Sequence, residues 1–304
     1  VGPETVHFQQ ASSLGQFIPL HYHYNMLLDE ARINSFREAI EYVVRPGMRV
    51  LELGGGTGVL SYFAARQGAR VWCVELNPDL VRAARHFLPL NDGGDRVRVV
   101  EADAGTFVPP EPVDVVICEM LHVGLLREQQ AAVIESFKER YLQRFGGPLP
   151  RFLPEVTLLA MQPVEHSFRF GGYRAPIPLF QAAGGDYRDT LGLSGPQIYE
   201  TIWYEKTLPE RIEWQGLIEM TAAGELNALR FATRSILAFH LEERRGIEWS
   251  NQHLVLPIRE PVAVKPGDFV RVQFSYAPGG TLDSLAGSIS VEALPQTLPL
   301  RRAA

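Results

Sequence analysis

The sequence predicts an α/β chain of two parts, a doubly wound parallel sheet followed by an all-β unit, and two observations carry that expectation. From residue 49 to about 145, short apolar strand-like runs alternate with helical patterns, the arrangement that builds a parallel sheet covered by helices. After Pro148 the alternation stops and short β-type runs follow, punctuated by Pro and Gly. A chain of 304 residues, 46% hydrophobic and 21% charged, is long enough for two such units and has the composition of an ordered globular protein.

In order along the chain, residues 21–44 read as one helix. Met26, Leu27, Ala31, Ile33, Phe36, Ile40 and Val43 recur at helical spacing until Pro46-Gly47. RVLEL (49–53) is a strand. Gly58 to Gln67 reads as a helix stopped by Gly68. RVWCVEL (70–76) is the next strand, and 78–88 a helix with proline in its first turn. RVRVVEAD (96–103) and VDVVICE (113–119) are two more strands. A helix over 127–145 carries Ile134, Phe137, Tyr141 and Phe145 on one face. The boundary falls near Leu153-Pro154, giving units 1–153 and 154–304. The β-type runs of the second unit include VTLLAMQPV, RIEWQGLIEM and DFVRVQFSY. Residues 166–199 are rich in Gly, Pro and Tyr without clear periodicity and are too long for a plain loop.

Composition excludes some functions. A net charge of −6 with no basic stripe argues against nucleic acid and favours a cationic substrate weakly. No apolar run approaches the roughly 18 residues of a membrane span, and no charged-then-apolar leader opens the sequence. Cys73 and Cys118 lie in apolar strand runs. They read as core residues in a reducing cytoplasm, with no metal site.

The chemistry begins at VLELGGGTGVL (50–60), where Gly54, Gly56 and Gly58 join a strand to a helix. Glycines there let the backbone approach a ligand closely and leave helix N–H groups free to donate. Such a loop alone also suits dinucleotides. Acids at three strand positions favour S-adenosylmethionine over NAD. Glu52 precedes the loop, Glu75 ends the second strand where two ribose hydroxyls need an acceptor, and Asp103 ends the third, suited to an adenine amino group. Further on, VDVVICE delivers Glu119 to the tip of an apolar strand, and Glu128 follows nine residues later. Glu128 alone would also suit the first turn of the 127–145 helix, favourable with the helix dipole.

MLLDEAR (26–32), VLELGGGTGVL, the acid of VWCVEL, the spacing of Glu119 and Glu128, and FLPE (152–155) together resemble the protein arginine methyltransferases over nearly the whole chain. The resemblance implies a Rossmann-like methyltransferase domain, a β-barrel-like domain, and a dimerisation arm at about 166–199. Its tyrosines Tyr173, Tyr187 and Tyr199 suit docking in a homodimer. It also implies that Glu119 and Glu128 grip an arginine guanidinium, that Arg32 pairs with the cofactor carboxylate, and that His23 lies near the cofactor. Arg32 as a surface charge and His23 as a packing residue are the plainer alternatives. The physics agrees with a clamp: a guanidinium presents a planar fork of donors that carboxylates meet bidentately, and it relieves the repulsion between two buried acids.

Two departures from the family pattern stand out. The tyrosine-bearing helix that lids the family's cofactor reads Ser13-Leu14-Gly15-Gln16-Phe17 here, without tyrosine. The threonine-histidine-tryptophan loop is matched by Ile247-Glu248-Trp249, so an acid faces Asp29 where the family has a histidine. Either Glu248 adds an acceptor for a more cationic substrate or another base acts; His122, inside the loop between the glutamates, is a candidate. Met120 stands where an aromatic usually follows the first glutamate. The acceptor expected is arginine in a peptide, free arginine or a small guanidino compound. A methyltransferase for another amine and a non-catalytic scaffold are the competing readings.

Overall fold

The computed structural model describes residues 18 and 20–294. The expected lid segment, Ser13 to Phe17, lies outside the described residues. The first half holds α1 (Leu20–Leu28), α2 (Glu30–Val43), β1 (Arg49–Leu53), α3 (Val59–Arg66), β2 (Arg70–Glu75), α4 (Pro78–Phe87), β3 (Val97–Glu101), β4 (Val115–Cys118), α5 (Gln130–Phe145) and β5 (Arg151–Leu153). The five strands form one parallel sheet in the order β3-β2-β1-β4-β5. The strand order reverses between β1 and β4, which opens a crevice at their carboxyl ends, where ligands bind in open α/β sheets. The glycine loop leaves β1 there, and Glu119 follows the last residue of β4.

The predicted helix over 21–44 is two helices. Asp29 breaks it: its backbone (φ −72°, ψ 82°) leaves the helical region and its carboxylate accepts from Arg32 N at 3.0 Å, capping α2. The helix predicted from 127 starts at Gln130, so Glu128 stands before it and not in its first turn. β3 ends at Glu101, two residues short of Asp103. Cys73 and Cys118 are buried free thiols of β2 and β4.

From β6 (Val156–His166) onward the pairing is antiparallel. Seven strands, with Gly224–His240 the longest, form one sheet, and Ile212–Glu219, Phe269–Tyr276 and Ser290–Ala293 form a second. Segment 166–199 is more regular than its sequence suggests. Arg169–Phe170 and Tyr173–Arg174 make a small hairpin, while Leu179–Gln181 and Thr190–Gly192 are stitched into the larger sheet. Tyr199 is not a docking residue. It is buried, its hydroxyl lies 2.8 Å from that of Tyr276, and its ring packs edge-on to Phe231 and Phe274.

Candidate active site

One cavity at the crevice is lined by His23, Arg32, Gly54, Gly56, Glu75 and Asp103, and by Glu119 and Glu128. The glycine loop shapes its floor. Gly56 has φ +53°, and a Cβ there would lie 2.9 Å from His23 Cε1, so any side chain would displace the imidazole. Gly55, which the sequence reading did not single out, is tighter still: its Cβ would lie 2.2 Å from Cys73 Sγ. Gly58 does not line the cavity; it is the left-handed cap before α3, beside Leu88. The Glu75 carboxylate accepts from Gly56 N and from Asn77 N, both at 2.8 Å, fixing the loop to β2. Glu52 is buried under the loop and accepts from Ser61 N at 2.9 Å and from the Ser61 hydroxyl. Burial pushes its carboxyl up to about 8. Asp103 is exposed at one end of the cavity, and its Oδ1 accepts from Gly105 N at 2.8 Å.

Glu119 and Glu128 reach this cavity from the two ends of one loop. Glu119 is ion-paired with Arg32, whose guanidinium lies 5.0 Å from the centre of the Trp249 ring. The other oxygen of Glu119, Oε1, is buried with no partner among the described residues, as is His23 Nε2. Burial pushes Glu119 above the usual carboxylate range, against the opposing pull of Arg32. Burial, then the neighbouring Glu119, push Glu128 up to about 7. His23 is held neutral, its pKa lowered by burial and by Arg32.

The loop between the glutamates is pinned along its length by the antiparallel half. Asn251 Nδ2 donates to Leu121 O at 2.9 Å and Gly124 N donates to Thr233 Oγ1 at 2.7 Å. Gly279 N donates to Leu125 O at 2.7 Å, and Arg127 N to Gly280 O at 2.8 Å. Leu125 (φ 55°) and Arg127 (φ 64°) sit in the left-handed region, which side chains disfavour and which these bonds hold in place.

Besides Gly58, four predicted residues lie outside the cavity lining: Trp249, which reaches the site only through its contact with Arg32, and His122, Glu248 and Asp29. His122 faces away: its ring packs edge-on to Phe180, with centroids 5.7 Å apart, and burial lowers its pKa to about 4. It is outside the cavity lining, so its place does not suit a base. Glu248 is on the strand Arg245–Ser250, where alternation buries Ile247 and Trp249 on one face and turns Glu248 to the other. There it is paired with Arg234 and not with Asp29. Asp29 caps α2 and does not line the cavity, though its charge opposes ionisation of Glu119.

Residues 50–142 match a family described as methyltransferase domain. A protein of Methanothermobacter thermautotrophicus is 31% identical over 88% of this chain and 97% of its own length. An arginine N(omega)-methyltransferase of Streptomyces achromogenes subsp. streptozoticus is 26% identical over 84% of this chain and 76% of its own. The fold is similar to that of the Trypanosoma brucei PRMT1 enzyme-prozyme heterotetrameric complex with AdoHcy. The TM-score is 0.68 at 17% identity, covering 90% of this chain and 98% of that one. The chain thus carries a methyltransferase domain that uses S-adenosylmethionine, and it is similar to arginine methyltransferases in sequence and in fold.

The cavity of this methyltransferase fits its cofactor, S-adenosylmethionine. The cradle at Gly56 admits only a backbone approach, and two residues that line the cavity, His23 and Glu119, each carry a buried polar atom, Nε2 and Oε1, with no partner among the described residues. Glu75 keeps acceptor capacity beyond its two backbone bonds, since each carboxylate oxygen takes two. Among the described residues no helix is long and apolar enough to cross a membrane.

Proposed function

We propose that the protein methylates a guanidinium nitrogen of arginine and that Glu119 and Glu128 hold the acceptor. The observation that carries this reading is the convergence of two buried carboxylates on the cavity that the glycine loop also lines. Both are pushed toward the neutral form by burial, and Glu128 also by its companion, so a planar cation relieves a cost that the protein bears alone. Glu119 already accepts one guanidinium, that of Arg32.

When bound, the cofactor supplies an electrophilic methyl on a sulfonium. His23, Gly54, Gly56, Glu75 and Asp103 would hold it, with Arg32 available to its carboxylate. The glutamates orient the acceptor and concentrate its positive charge on the nitrogens they bond, leaving the remaining nitrogen the better nucleophile. As the nitrogen–carbon bond forms, a guanidinium proton must leave. Glu128, near 7, is suited to take it and pass it to solvent. Trp249 braces Arg32 from the antiparallel half.

Free arginine is the first acceptor to test, because the Streptomyces relative named for arginine matches most of the chain. The rice protein-arginine relatives match 56% of it and are covered over 42% or 41% of their own length. Incubation with S-adenosylmethionine and either free arginine or an Arg-Gly peptide should add about 14 Da to the acceptor. Glu119→Gln should abolish that shift while calorimetry still registers cofactor binding. Methylation of simple amines but of no guanidino compound would refute the proposal. The resemblance further supports a homodimer formed through the 166–199 arm, whose Phe170, Tyr173 and Ile177 are exposed.

A further inference from the structure

The loop that carries the two glutamates is held across its mouth by a single side chain that no feature of the cofactor site requires. Gln130, the first residue of α5, is fully buried. Its Oε1 accepts from Met120 N at 2.8 Å, and its Nε2 donates to the Tyr204 hydroxyl at 3.1 Å. The orientation of the amide follows from its partners, since a backbone N–H can only donate and therefore selects the oxygen. Tyr204 is itself fully buried, and its hydroxyl lies 3.0 Å from Thr157 Oγ1, which lies 3.0 Å from Ser235 Oγ. Thr157 belongs to β6 and Ser235 to the strand Gly224–His240, so the chain of bonds ends in the antiparallel half.

Met120 directly follows Glu119, and Gln130 stands two residues beyond Glu128. The Gln130 amide therefore ties the exit of the first glutamate to the helix start that follows the second. We propose that Gln130 is a positioning residue that sets the separation of Glu119 and Glu128 and, through Tyr204, registers that separation against the antiparallel half. The proposal rests on reading the two glutamates as the acceptor clamp. Breaking the bond would leave the partly buried Met120 N–H without its partner, and the loop would shift to satisfy it. A displacement of about 1 Å at a reacting group is enough to cost about a hundredfold in rate.

Gln130→Met keeps the length of the side chain and removes both bonds. Gln130→Glu restores an acceptor for Met120 N and a partner for Tyr204. Steady-state kinetics with free L-arginine and with an Arg-Gly peptide, cofactor calorimetry, and amide hydrogen exchange at Met120 would be measured for each. Gln130→Met should lower kcat/KM by at least about tenfold, leave the cofactor Kd within about twofold, and speed exchange at Met120. Gln130→Glu should recover rate and protection together. Tyr204→Phe should give a smaller loss that does not add to that of Gln130→Met. Wild-type kcat/KM in Gln130→Met would overturn the proposal. So would a parallel loss of cofactor affinity and turnover that Gln130→Glu fails to restore. If Gln130→Met does not fold, wild-type kinetics in Tyr204→Phe overturn the link to the antiparallel half. If the wild-type protein methylates neither acceptor, the clamp reading fails separately. Exchange at Met120 then decides, with unchanged protection in Gln130→Met counting against Gln130.

Discussion

Burial and a like charge act on Glu128 in the same direction, and its carboxyl rises to about 7. An arginine acceptor stays cationic across the whole accessible range, so on the proposed clamp the pH dependence of its capture follows Glu128. Below about 7 the carboxyl is protonated and its attraction for the guanidinium is lost. The profile of kcat/KM should therefore climb as pH rises through about 7 and level above it. A profile flat from pH 6 to 8 would contradict this, on the order of one pH unit being enough to see a severalfold change. Glu52 makes a prediction of a different kind. In the folded protein its carboxyl titrates near 8, against 4.5 ordinarily, so the folded state favours its neutral form. Its contribution to stability is complete below about 4.5 and is lost as pH rises through about 8. Glu52→Gln, which keeps an acceptor for Ser61, should raise the melting temperature of the cofactor-free protein above pH 8 and leave it unchanged near pH 4.5. Equal shifts at both pH values would sink that account.

At the scale of elements, Asp29 does more than end α1. Its cap fixes the first turn of α2, from which Arg32 reaches Glu119. Asp29→Ala should cost about 1 kcal/mol in denaturant unfolding and weaken cofactor binding through Arg32. Unchanged affinity would separate the cap from the site. The α/β half was largely legible in the sequence because its boundaries are coded locally. Asn77 with Pro78 starts α4, and Gly68 follows the end of α3. The break at Asp29 was hidden, since apolar spacing runs through it and only the capping bond reveals it. The cavity residues read from the glycine loop and the strand ends, Gly54, Gly56, Glu75 and Asp103, need only strand order to meet. Glu248 and His122 needed more. Nothing within Ile247-Glu248-Trp249 says which face of that strand meets α2, and the pairing of Glu248 with Arg234 comes from a neighbouring strand. His122 is turned by Phe180, a residue nearly sixty positions away. The left-handed turns at Leu125 and Arg127 fall on side-chain-bearing residues whose types do not announce them, although Gly124 just before Leu125 is also left-handed.

At the scale of the molecule, the two halves share the work of the site. The parallel half delivers the glutamates, and the antiparallel half holds the loop between them through Asn251 and Thr233. A second junction lies farther out, where the Tyr42 hydroxyl of α2 donates to Glu242 at 2.9 Å and accepts from Leu241 N at 3.1 Å. The proposed dimer is tested at this scale. Light scattering should give about twice the 34.0 kDa chain mass, and Tyr173→Glu, at an exposed position of the arm, should reduce it to that of one chain. A wild-type protein that is active at the mass of one chain would remove the arm from the account. The contact between Arg32, which lines the cavity, and Trp249, which stands outside that lining, joins the halves beside the site and offers a built-in optical reporter. The indole of Trp249 lies beside a cation that a ligand carboxylate would draw off. Trp203 also has a cationic neighbour, Lys206 Nζ at 5.0 Å from its ring centre, but neither Trp203 nor Lys206 lines the cavity. Titration with S-adenosylmethionine, which bears a carboxylate, should therefore change the intrinsic fluorescence without label or turnover, and loss of that change in Trp249→Phe would assign it to this indole.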